Sequence, residues 1–181
     1  MLIALSIVIP AAVLAAIVLR PGSHGTSSSN QVIAPGAPTR ATIGSKAPDF
    51  TLPDLNGTQV RLSHFRGRPV VLTFFASWCN PCEHDMPVLE KEQQSHGNNV
   101  AIVGVNYRDA VGDTRDFVRR LQVSFPTLVE DAVDNPVAAR YDVHAMPDTL
   151  FIDKNGVVRE RLYGEISTHD LQAAVARLVR A

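Results

Sequence analysis

Hydrophobic and polar positions divide the chain into three unequal stretches. Residues 1–19 carry no charged side chain and are almost wholly Leu, Ile, Val and Ala. As a helix they extend about 28 Å at 1.5 Å per residue, close to the hydrocarbon thickness of a bilayer. Residues 1–20 are therefore expected to form a single transmembrane signal anchor. No small-x-small cleavage pattern of the Ala-x-Ala kind ends the run, which favours an uncleaved anchor over a signal peptide. Against the usual charge rule, the first basic side chain, Arg20, comes after the apolar run. Residues 21–42 hold Gly, Ser, Pro, Asn and Thr with scarcely any large apolar side chain, and read as a flexible linker. A folded domain is expected over residues 43–181.

Within that domain the apolar pattern alternates between strand-like and helix-like. Residues 49–52 and 59–62 flank Asn56-Gly57, a hairpin signal because both residues tolerate positive φ. Residues 69–75 form a continuous apolar run rich in β-formers, as in a strand covered on both faces. Helix formers follow over 83–95, with Met86, Leu89 and less cleanly Val88 turned inward and a kink expected at Pro87. A second buried strand is predicted over 100–105, then a helix over 113–121 with Phe117, Val118 and Leu121 inward. Residues 125–129 and 135–141 give a third strand and helix. Residues 149–152 and 157–162, joined at Asn155-Gly156, make a closing hairpin. Ser167 or Thr168 caps a last amphipathic helix that carries Leu171, Val175 and Leu178 on one face. This order predicts an α/β domain: a central mixed sheet with helices on both sides and an extra hairpin at its start.

Charge narrows the function classes. Lys plus Arg number 17 and Asp plus Glu 18, so there is no basic field to attract nucleic acid. Cysteine usage says more. The only two cysteines stand three apart in Trp78-Cys79-Asn80-Pro81-Cys82, too close for a bridge that gains much from restricting the unfolded chain.

A Cys-x-x-Cys between a buried strand and a helix places the first sulfur where unpaired N–H groups and the helix dipole favour a thiolate. Cys79 is thus the expected nucleophile. Cys82, one turn on, can attack a mixed disulfide at Cys79 and release the product. Pro81 suits a helix opening, and Trp78 is expected to shield one side of the pair. Zinc would have Cys79, Cys82 and His84 but no fourth ligand. Haem attachment fails because Glu83, not histidine, follows Cys82. Two inert buried cysteines remain the bland alternative. No cofactor or metal is expected, and the scattered histidines are assigned no role.

Gly44-Ser45-Lys46-Ala47-Pro48-Asp49-Phe50 together with the Cys79–Cys82 motif resembles the TlpA/ResA group of anchored, extracytoplasmic proteins with a thioredoxin-like fold. Gly104-Val105-Asn106-Tyr107-Arg108-Asp109, and the stretch from Met146 to Asp153 before Asn155-Gly156, resemble the CcmG (DsbE) branch used in cytochrome c maturation. The resemblance spans residue 43 to the C-terminus. It implies that Pro147 is cis and faces the dithiol, leaving the Met146 backbone free to pair with an extended substrate segment. It also implies an acidic residue near the active site, here Asp85, which if desolvated could exchange protons with Cys82. The residue-level alternative is a first-turn acid that stabilises the helix dipole. Asp148 resembles the acid after the cis-proline and is expected to bias partner choice. Thr73 replaces the buried aspartate of ordinary thioredoxin.

The function implied is an extracytoplasmic protein disulfide reductase at the cell membrane. Its expected substrates are disulfide-containing proteins such as apocytochrome c, and a membrane thiol–disulfide transporter of the CcdA/DsbD kind would recharge it. An oxidant that makes disulfides in secreted proteins is the alternative within the class. A peroxiredoxin would need Thr where Ala76 stands, and a tethered metal-carrier module is the non-enzymatic alternative.

Overall fold

The computed structural model describes residues 40–130 and 137–181. The expected anchor, and the expected linker up to residue 39, lie outside them. Among the described residues no helix is long and apolar enough to cross a membrane. The fold starts earlier than the composition suggests. Ala41 is buried in the core and its N–H donates to the Arg140 carbonyl at 3.0 Å, whereas Ile43 is exposed.

Two short strands, β1 (Thr51–Pro53) and β2 (Gln59–Arg61), pair antiparallel as a separate hairpin. Their loop is not built on Asn56-Gly57 alone. Only Gly57 takes positive φ, and Asp54 Oδ1 organises the turn by accepting from the Asn56 and Thr58 amides at 2.8 and 2.9 Å. An aspartate side chain mimicking a backbone turn does what a tight two-residue turn would have done.

The main sheet contains β3 (Val70–Phe75), β4 (Ala101–Asn106), β5 (Thr127–Val129), β6 (Asp148–Ile152) and β7 (Val158–Tyr163), in the order β5-β4-β3-β6-β7. β3 is central, parallel to β4 and antiparallel to β6. Its uninterrupted apolar run is sorted by the pleat. Val70, Leu72 and Phe74 enter one core with Phe50, Leu52 and Tyr141, while Val71 and Phe75 enter the other with both cysteines, Met86 and Leu89. Thr73 shares the parity of the second set, and its hydroxyl bonds that of its register partner Thr149 at 2.9 Å, fully buried.

The helices are α1 (Asn80–His96), α2 (Val111–Arg120), α3 (Val137–Arg140) and α4 (Thr168–Arg180). α1, α2 and α4 supply the core that holds the cysteines, through Met86 and Leu89, Phe117 and Val118, and Leu171, Val175 and Leu178. α1 continues through Pro87, which forfeits one backbone donor without ending the helix. Gly104 is required by packing and not by φ. A Cβ there would meet Phe75 Cε1 at 2.9 Å and Phe125 Cε2 at 3.3 Å.

Candidate active site

β3 delivers the chain to a turn, Ala76 to Trp78, and α1 begins immediately after it. Cys79 is the N-cap of α1 and Pro81 lies in its first turn. Cys79 and Cys82 form a disulfide. Cys79 Sγ accepts the Cys82 N–H at 3.2 Å, so one of the orphan amides of the helix start is aimed at the sulfur that would carry a thiolate after reduction. The two sulfurs differ in access: Cys79 is 6% exposed and Cys82 not at all. Only Cys79 is open to an incoming sulfur.

Trp78, which immediately precedes Cys79, is 60% exposed. The Met146–Pro147 peptide bond is cis, Pro147 is buried, and partly buried Met146 packs against the apolar cluster that contains both cysteines. Met146, distant in sequence from the cysteines, thus lies against the disulfide-bearing core.

Asp85 lies on the face of α1 that Cys82 occupies, one turn further on, and is only 2% exposed. Its Oδ1 accepts the Ile166 N–H at 2.9 Å, and its Oδ2 is buried without a partner among the described residues. Burial raises its pKa to about 6, against the opposing pull of the Ile166 amide. A solvated dipole-stabilising acid would not be placed this way.

Asp148 departs from its expected role. It has no exposure, so its carboxylate offers no direct contact to a partner. Arg161 donates to it from both Nε, at 2.8 Å to Oδ1, and Nη2 to Oδ2. The same Nη2 donates to the Asp142 carbonyl at 3.0 Å, and the guanidinium lies over the Tyr163 ring at 4.8 Å. Burial pushes the Asp148 pKa up, and Arg161 offsets part of that rise. One pair therefore ties β6 to β7 and to the loop that leads into Met146. Arg161 escaped the sequence reading. Its signal was the alternation Arg159, Arg161 along β7: Arg161 pairs with Leu150, which makes Asp148 its diagonal cross-strand neighbour.

Among the described residues, no group of three or more His, Cys, Asp or Glu side chains is placed to hold a metal ion. His84 instead approaches Glu165 at 3.5 Å on the surface.

A cysteine pair at a strand-to-helix turn, one sulfur accessible and the other buried beside a desolvated acid, defines a thiol–disulfide oxidoreductase of thioredoxin-like fold. The chain belongs to the AhpC/TSA family, whose model matches residues 43–161. It is 35% identical over 135 residues to the thiol-disulfide oxidoreductase ResA of Geobacillus kaustophilus, covering 74% of this chain and 76% of that one. The thioredoxin-like protein YneN of Bacillus subtilis is 33% identical over 132 residues, covering 71% and 76%. Among solved structures, a candidate DsbE-type thiol:disulfide interchange protein from Chlorobium tepidum superposes with a TM-score of 0.71 at 30% identity, covering 77% of this chain and 99% of that one.

Proposed function

We propose that this oxidoreductase works as a selective reductant outside the cytoplasmic membrane, held there by residues 1–20, with the haem-site cysteines of apocytochrome c as its substrate class. The observation that carries the proposal is the asymmetry of the pair, an accessible Cys79 at the α1 N-terminus and a sealed Cys82 one turn before Asp85. Support for the branch comes from the resemblance of the stretches around Asn106 and Pro147, and from the likeness to ResA and to a DsbE-type structure.

In the reduced protein the Cys79 thiolate attacks one sulfur of the substrate disulfide. That S–S bond breaks, a Cys79–substrate disulfide forms, and the departing substrate thiolate takes a proton from solvent. Cys82 then gives its proton to the Asp85 carboxylate and attacks Cys79 Sγ. The second substrate thiolate leaves, and two electrons have passed from the dithiol to the substrate. Among the described residues the Met146 backbone makes no hydrogen bond to another backbone group, so an extended segment could pair there while Trp78 supplies apolar contact. A membrane thiol–disulfide transporter of the CcdA/DsbD kind would return the electrons, because thiols outside the cytoplasm are otherwise oxidised.

The deciding measurement is the reduction potential of the full chain, by equilibration with glutathione or dithiothreitol. A value near that of thioredoxin is expected, whereas one above roughly −150 mV, with oxidation of reduced unfolded proteins, would identify an oxidant. A Cys-x-x-Cys-His peptide disulfide should then be reduced faster than insulin. Intact-mass analysis of membrane-extracted protein tests the anchor separately: a soluble mature chain starting near Ser23 would remove it and leave the redox chemistry standing.

A further inference from the structure

We infer that Asp109 is a positioning residue for Cys79, acting through Ser77 to hold the strand-to-helix turn from which that sulfur reacts. Asp109 lies in the loop between β4 and α2, 32 residues from Ser77 in sequence. Its Oδ2 accepts the Ser77 N–H at 2.7 Å and its Oδ1 accepts the Ser77 hydroxyl at 2.9 Å. The carboxylate therefore grips one residue through both backbone and side chain. Its Oδ2 also accepts the Thr114 hydroxyl at 2.9 Å.

The grip is itself anchored. Thr114 and Asn106 are fully buried, and Asn106 Nδ2 donates to the Asp109 carbonyl and to Thr114 Oγ1, each at 3.2 Å. Asn106 Oδ1 accepts the Glu130 N–H at 2.8 Å, which ties the network to the end of β5. On the other side of Ser77, the Cys79 N–H closes onto the Ala76 carbonyl at 3.2 Å. Ser77 is thus the fixed point of a turn whose next two residues are the exposed Trp78 and the nucleophile. Among the described residues no other side chain hydrogen-bonds to residues 76–78.

Thiol–disulfide exchange needs the attacking sulfur in line with the bond it breaks, and a misplacement of about 1 Å can slow a reaction about 100-fold. Charge-assisted hydrogen bonds are the strong ones, so a carboxylate with three donors suits a clamp on a turn in which the buried Ala76 is followed by a half-buried Ser77 and an exposed Trp78. A role confined to the stability of the β4–α2 loop would leave the reactivity of Cys79 unchanged.

The inference rests on Cys79 being the attacking thiol, and the test separates the two. In full-length Cys82→Ser protein, the rate of attack on a small disulfide and the ultraviolet titration of the Cys79 thiolate are measured with and without Asp109→Asn, with melting temperatures recorded. Asparagine keeps the volume but loses acceptors, so attack by the fully ionised thiolate should slow about tenfold, the value of one charged hydrogen bond. Ser77→Ala should slow it less, Ser77→Thr should restore it, and the double variant should be no slower than Asp109→Asn alone. A folded Asp109→Asn protein reacting within about twofold of its parent, or effects that multiply, would overturn the inference. Should Asp109→Asn not fold, equal rates for Ser77→Ala, Ser77→Thr and the parent would overturn it as well. Faster reaction of Cys82 in a Cys79→Ser protein would instead refute the assignment of the nucleophile.

Discussion

The Ile166 amide donates to Asp85 Oδ1 at 2.9 Å across 81 residues of sequence, while the other oxygen of the same carboxyl is sealed from solvent with no donor among the described residues. A half-satisfied buried carboxylate is costly when charged, which is why its pKa rises from 3.8 to about 6. Because the folded value lies above the unfolded one, this group favours folding most below about pH 4 and loses that contribution as pH climbs through about 6. Urea denaturation of the oxidised protein from about pH 4 to about pH 8 should show this decline, on the order of 2–3 kcal/mol from this group at most. Asp85→Asn should flatten it; an unchanged slope would mean that the carboxyl is not desolvated.

The same carboxyl has a kinetic signature. Asp85→Asn should slow resolution of the mixed disulfide above neutral pH by about 10²- to 10⁴-fold and leave the first attack by Cys79 nearly unchanged. Stopped-flow separation of the two steps checks this, and equal rates of resolution in both proteins would remove Asp85 from the reaction.

Unequal access predicts unequal trapping. Cys82→Ser should accumulate mixed disulfides through Cys79, visible on non-reducing gels, whereas Cys79→Ser should accumulate almost none, since Cys82 has no exposed surface. Alkylation of the reduced wild-type protein should modify Cys79 first.

Trp78→Ala should separate recognition from stability. An exposed ring contributes little to folding, so the change in stability should stay within about 0.5 kcal/mol. Reduction of a protein disulfide should weaken through KM, by about tenfold if the ring anchors the partner. A small disulfide should react at the parental rate, and parallel losses on both substrates would show that the ring acts on Cys79 itself.

Arg161→Met should destabilise strongly, because it strands the Asp148 carboxylate with no solvent; removing one partner of a buried pair costs about 3–5 kcal/mol. Asp148→Asn in the Arg161→Met background should recover part of the loss. If Asp148→Asn alone lowers preference for the Cys-x-x-Cys-His peptide, it does so by loosening the loop from Asp142 to Met146, since Asp148 itself is covered.

The local pattern of the chain was sufficient for the order of strands and helices, for the redox pair, and for the helix start that distinguishes Cys79 from Cys82. These depend on spacing within one turn of helix or one pleat of strand, where neighbours in sequence are neighbours in space. Asp85 was legible as a residue one turn from Cys82, but its state was not, because its burial and its Ile166 partner, 81 residues away, exist only in the folded chain. The covered Asp148 was misread for the same reason: exposure is a property of the assembled layers. Ser77 with Asp109, and Asp148 with Arg161, became partners only once strand register and loop placement were fixed. Sequence determined which chemistry this protein carries. Tertiary structure decided which groups lose their water and which hold the nucleophile, because both depend on contacts between segments that no local pattern relates.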